Sequence, residues 1–118
     1  MKVLIVDDHP SFRASARRML EAEGFEVVAE AGSGAEALQA ADAWSPELIL
    51  LDVHLPDMQG FDVAERLTLN GSAPAIVITS SHDASDFGPL VEGSGARAFI
   101  PKSELSGEAL RRILDERP

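Results

Sequence analysis

Apolar residues in this chain follow two alternating patterns. The first is the short unbroken run: Val3-Leu4-Ile5-Val6, Leu48-Ile49-Leu50-Leu51 and Ala75-Ile76-Val77-Ile78. Runs of this length, bounded by turn residues, predict strands buried on both faces. The second is helical spacing. It is carried by Phe12, Ala16, Met19 and Leu20, by Ala37, Leu38 and Ala41, by Phe61, Val63, Ala64 and Leu67, and by Ala109, Leu110, Ile113 and Leu114. Residues 25–31 are β-rich and only partly alternating, which suits a strand near a sheet edge, and residues 96–100 predict a fifth strand. Punctuation agrees with these limits. Pro10 suits a first helical turn, Gly24 a helix end, Ser45-Pro46 and Asn70-Gly71-Ser72 helix stops, and Ser106 a last N-cap. Residues 81–94 contain Gly88, Pro89 and Gly93 and predict a short or broken helix, the most mobile element.

Five strands thus alternate with five helices. Alternation on this scale predicts an α/β fold with right-handed crossovers and one doubly wound parallel sheet covered on both faces. A chain of 118 residues holds one such domain, and we read residues 1–118 as that domain, with no internal repeat or linker.

Charge narrows the partners. Twenty acidic residues against ten basic ones leave a net charge of −10, so the domain is expected to repel a phosphate backbone and make no direct nucleic-acid contact. The longest aliphatic runs are of strand length, so no membrane span is expected. Cysteine is absent, which fits a reducing, cytoplasmic setting. Met1-Lys2 leads directly into a strand, so no cleaved signal is expected, and no DNA-binding segment is read after the last helix.

The chemistry sits at predicted strand ends. Asp7-Asp8 follows the first strand, Asp52 the third and Lys102 the fifth, while Thr79 and Ser80 close the fourth. In a parallel sheet all carboxyl ends share one edge, where open α/β sheets bind ligands. Each residue alone has an ordinary reading. Asp7-Asp8 could cap a helix, Asp52 could be a solvated strand-end acid, Lys102 a surface lysine and Phe99 core. Together, three converging carboxylates repel unless a hard cation joins them, and Mg²⁺ with Lys102 would suit phosphoryl transfer to Asp52. His9 is read as near such a metal without binding it. A zinc site built from it and the two aspartates lacks a closed ligand set.

The segments VLIVDDHP, LILLDVHLPDMQG, AIVITS and GARAFIPK resemble the receiver domain of bacterial two-component response regulators, in the subgroup that often precedes a LuxR-type helix-turn-helix. The resemblance covers essentially the whole chain. It implies the CheY-like strand order 2-1-3-4-5 and a switch that controls an output, transcriptional in that subgroup. It implies that Asp52 is the phosphoacceptor served by a sensor histidine kinase, and that Asp8 is a direct Mg²⁺ ligand with Asp7 acting through water. The backbone carbonyl of His54 would complete the coordination, Lys102 would pair with the phosphoryl group, and Phe99 would be the aromatic switch. The switch hydroxyl is Thr79 by counting from Pro74 and Ser80 by counting back from Lys102, with Thr79 preferred. The resemblance further implies dimerisation through the last strand and its flanking helices. One departure stands out. Many receivers have a proline after the lysine, whereas here Pro101 precedes Lys102 and Ser103 follows, so the loop that aims Lys102 must be held differently.

Two other readings stay open. One is an atypical receiver that is never phosphorylated and serves as a protein-interaction module. The other is a Mg²⁺-dependent phosphohydrolase with an aspartyl nucleophile. Such enzymes commonly carry a second acid two residues after the nucleophile, where this chain has His54.

Overall fold

Strand and helix alternate along the whole chain in the computed structural model, which describes residues 1–69, 74–81 and 88–115. The elements are β1 (Lys2–Val6), α1 (Pro10–Ala22), β2 (Glu26–Ala31), α2 (Gly34–Trp44), β3 (Leu48–Asp52), α3 (Gly60–Leu69), β4 (Ala75–Ser80), α4 (Gly88–Ser94), β5 (Ala98–Pro101) and α5 (Gly107–Asp115). The strands form one sheet in the order β2-β1-β3-β4-β5, with every pairing parallel. The expected α/β class, strand order and edge position of β2 are all found. Register along β1–β2 slips between Val3 and Leu4, because Val28 is left without a partner between Val27 and Ala29. The Asn70-Gly71-Ser72 stop and residues 82–87 of the expected broken helix, His82 included, lie outside the described residues. Residues 88–94 of that segment are helical.

Burial explains why the runs become interior strands. Every residue of β3 is buried, as are Val3, Leu4, Ile5 and Val6 of β1. Period-two alternation sends the side chains to two cores. Ile49, Leu51, Ile76 and Ile78 pack with Ala37 of α2 and with Phe61, Val63, Ala64 and Leu67 of α3. Leu48, Leu50, Val77 and Ile100 pack with Ala16 and Leu20 of α1 and Leu110 of α5. Each such buried Leu or Ile contributes about 1.5–3 kcal/mol relative to an exposed one.

Helix ends are held as the punctuation suggested. Gly24 adopts φ +91°, a left-handed conformation that ends α1 without a Cβ clash. Ser45, also left-handed, ends α2 just before Pro46. Ser33 Oγ accepts from the Glu36 N–H at the start of α2, and Ser106 Oγ accepts from the Ala109 N–H at the start of α5.

Gly60 opens α3 where the chain turns back onto β3. Its N–H donates to the Val53 carbonyl at 2.7 Å, and a Cβ on Gly60 would collide with the Asp52 carbonyl oxygen. The Asp52 atoms in the way are backbone, so they cannot yield cheaply. We therefore expect Gly60→Ala to destabilise the fold by about 2–4 kcal/mol in chemical denaturation. Gly93→Ala serves as the control. It meets nothing within 4 Å, so it should be neutral or gain up to about 1 kcal/mol. Equal effects at the two glycines would refute this account of the β3–α3 turn.

Candidate functional site

Parallel topology brings the tips of β1, β3, β4 and β5 to one edge of the sheet. Asp7 directly follows β1, and its N–H donates to the Ala31 carbonyl, which extends the β1–β2 pairing by one rung. The Asp7 side chain is fully buried. Its backbone is clamped from α1, where Arg13 Nη1 donates to the Asp7 carbonyl at 2.5 Å and Arg13 Nε to Glu30 at 3.1 Å. Asp52, the last residue of β3, is only 4% exposed. Asp8, beside Asp7, is more open to solvent.

Lys102 stands just beyond β5 and reaches across the edge. Its Nζ lies 2.7 Å from Asp7 Oδ2 and 3.7 Å from Asp52 Oδ1. Among the described residues, Asp7 Oδ2 has the ammonium as its close contact and no further donor, so this buried oxygen keeps acceptor capacity to spare. The unusual order around the lysine has a visible answer. Pro101 ends β5, and Lys102–Glu104 form one 3₁₀ turn closed by the Leu105 N–H on the Lys102 carbonyl at 3.3 Å. Leu105 packs into the core under α1 and α5.

His9 lies beside the acids, as expected from the sequence. Its N–H donates to Asp7 Oδ1 at 2.8 Å, and its Nδ1 lies 3.1 Å from Asp7 Oδ1 and 3.0 Å from Asp8 Oδ1. Ligand atoms of Asp7, Asp8, His9 and Asp52 all lie within 4.8 Å of one another. This acidic pocket could hold a divalent cation. The donors are mainly carboxylate oxygens, and the open acceptor on buried Asp7 would gain a partner.

Thr79 and Ser80 end β4, both buried. Asp52 pairs with Thr79, whose carbonyl accepts from the Val53 N–H at 3.0 Å. By alternation Thr79 lies on the sheet face of Asp52, and Ser80 on the opposite face with Phe99, which is half-buried against the α2–α3 core. His54 is exposed, and its bridge to Gln59 closes the loop after β3. In that loop Asp57 reaches α2, where its carboxylate accepts from the Gly34 N–H at 2.8 Å and the Ala35 N–H at 3.0 Å. Those two bonds hold the Asp57 carboxyl below the usual carboxylate range. Sequence reading missed this role, since nothing local marks a residue that caps a helix 22 or 23 positions away. It also placed Phe12 only in a core stripe, whereas the Lys102 ammonium lies over its ring, 4.4 Å from the centroid.

Burial, reinforced by the Asp7 charge, pushes the Asp52 carboxyl up to about 6 against the effect of Lys102. Folding therefore favours the protonated acid. The associated stability is complete below pH 3.8 and is lost as pH rises through about 6. In chelator-treated protein, Asp52→Asn should be more stable than the parent by about 2 kcal/mol at pH 8, and the gap should narrow at pH 5. Denaturation at the two pH values measures it, and a gap independent of pH would contradict the assignment.

Comparison with known proteins agrees with this architecture. The family model for the response regulator receiver domain matches residues 3–115. The nitrate/nitrite response regulator protein NarP of Escherichia coli is 40% identical over 115 residues, covering 93% of this chain and 53% of NarP. The transcriptional regulatory protein PdtaR of Mycobacterium tuberculosis is 33% identical over 121 residues, covering 95% of this chain and 59% of PdtaR. The crystal structure of a LuxR-family two-component response regulator from Aurantimonas superposes with a TM-score of 0.86 at 30% identity, covering 96% of this chain and 81% of that one. The chain spans about half the length of the curated relatives it matches. With the sheet order, the acidic strand tips and these matches in hand, the chain belongs to the response regulator receiver domain family.

Proposed function

We propose that this chain is the phosphoacceptor module of a two-component system, with Asp52 taking a phosphoryl group from the phosphohistidine of a sensor histidine kinase. The observation that carries the reading is the placement of buried Asp52 with Lys102 Nζ 3.7 Å away, in a pocket where the ligand atoms of Asp7 and Asp8 lie within 4.8 Å of its own.

A carboxylate oxygen of Asp52 attacks phosphorus. The new P–O bond forms as the P–N bond to the imidazole breaks, and the imidazole nitrogen leaves with the electron pair. Asp7, Asp8, Asp52 and the backbone carbonyl of His54 would hold Mg²⁺, which when bound would neutralise charge on the phosphoryl oxygens. Lys102 supplies the positive charge from the β5 side and moves from Asp7 toward the phosphoryl oxygens. A hydroxyl at the end of β4 donates to the same oxygens, and Phe99 turns toward the space it leaves. That is a shift between two packings biased by a local charge. In role the domain is a cytoplasmic switch whose only chemistry is its own phosphorylation and hydrolysis. Its output is transcriptional, delivered through the β5 face with its flanking helices as a dimer surface.

Thr79 and Ser80 divide the requirements of the switch between them. Thr79 shares the Asp52 face and Ser80 the Phe99 face. We assign the hydroxyl to Thr79 on its register with Asp52.

Acetyl phosphate with Mg²⁺ should add one phosphoryl mass to the parent and none to Asp52→Asn, read by intact-mass spectrometry. An adduct on both would place the chemistry elsewhere. No adduct on either would turn the reading to an interaction module. In the phosphorylated protein, Thr79→Ala should abolish most of the amide shift change around Phe99, while Ser80→Ala should retain it. The reverse result moves the hydroxyl to Ser80.

A further inference from the structure

We propose that Phe12 is a positioning residue for Lys102. Its ring supports the ammonium over the carboxylate pair and so sets how well Lys102 serves phosphoryl transfer. The proposal rests on the phosphoacceptor reading above.

Lys102 stands outside the regular strands and rests on modest backbone support. It follows β5, a four-residue strand paired only with β4 at the edge of the sheet. No proline follows it, and the 3₁₀ turn that it opens is closed by one 3.3 Å hydrogen bond. Even so, its side chain is only 18% exposed and its Nζ reaches Asp7 at 2.7 Å. A four-carbon side chain loses considerable rotamer freedom in such a pose. Something besides the backbone must narrow its choices.

Phe12 is placed to do so. It sits in the first turn of α1, a 13-residue helix started by Pro10 and anchored by buried Ala16 and Leu20. The ring packs against the same core as Leu105, the residue that closes the lysine turn. The ammonium over its face is attracted by the negative π cloud, an interaction worth more as water is excluded. The ring offers no lone-pair acceptor, so the N–H donors of Lys102 that face away from it remain available to oxygens. The attraction is also weakly directional. The ammonium can pass from Asp7 to a phosphoryl group on Asp52 without breaking a bond to its support. A hydrogen-bonding residue at position 12 would hold Lys102 in one place instead.

The test uses the full chain with Phe12→Tyr, which keeps the ring, and Phe12→Leu, which keeps apolar bulk without it. In the parent and in Phe12→Tyr, the Lys102 ε-methylene protons should show an upfield ring-current shift by NMR, and Phe12→Leu should lose it. With acetyl phosphate and Mg²⁺, Phe12→Leu should lower the maximal phosphorylation rate about 5-fold, with half-saturation unchanged and Phe12→Tyr close to the parent. A parent without the ring-current shift would overturn the proposal. So would Phe12→Leu reacting at the parental rate, or a fall in Phe12→Tyr equal to that in Phe12→Leu. The NMR arm needs no phosphorylation. A parent that shows the shift but forms no adduct would sink the phosphoacceptor reading and the transfer role while leaving the ring–ammonium contact established. If Phe12→Leu fails to fold, the parent's shift and the rate of Phe12→Tyr still decide.

Discussion

One ammonium faces two buried carboxylates at the carboxyl edge of this sheet, and the site depends on that imbalance. Lys102 contacts Asp7 closely and Asp52 at longer range, so neither acid is fully neutralised. Burial, with the Asp7 charge beside it, raises the affinity of Asp52 for protons in spite of the ammonium. Burial that would be costly for an isolated charge is offset here by the ammonium beside the two acids, and hydrophobic residues of similar volume would spare the fold that cost.

The sheet is what allows the deficit to be held in place. The acids stand on β1 and β3, which lie inside the sheet and are packed on both faces. Their backbones are further fixed by Arg13 on Asp7 and by the close approach of Gly60 to Asp52. The lysine comes instead from the sheet edge. Negative charge is thus placed on rigid supports, and positive charge on an adjustable one.

Much of this was legible in the sequence, and the reason is local. Unbroken apolar runs can be satisfied only by strands covered on both sides, so β1, β3 and β4 declared themselves. The residues after these runs then had to stand at the sheet edge, as did Lys102 after the expected fifth strand, which is why Asp7, Asp52 and Lys102 could be gathered before any coordinates. What the sequence hid was long-range and carried by side chains. Phe12 obeys the helical spacing of α1, so its second role over Lys102 left no separate mark. His9 looked like a bystander because its contacts arise from a tight turn after Asp7, not from spacing. Counting gave Thr79 from one end of the β4–β5 segment and Ser80 from the other, with Thr79 preferred. Register then set the two hydroxyls on opposite faces.

The Asp57 carboxylate, bonded to both Gly34 and Ala35, has a mechanical consequence. It makes the loop that leaves Asp52 and the first turn of α2 a single linked body. Any rearrangement of the loop would have to carry the start of the helix with it or strip two amide protons of their acceptor.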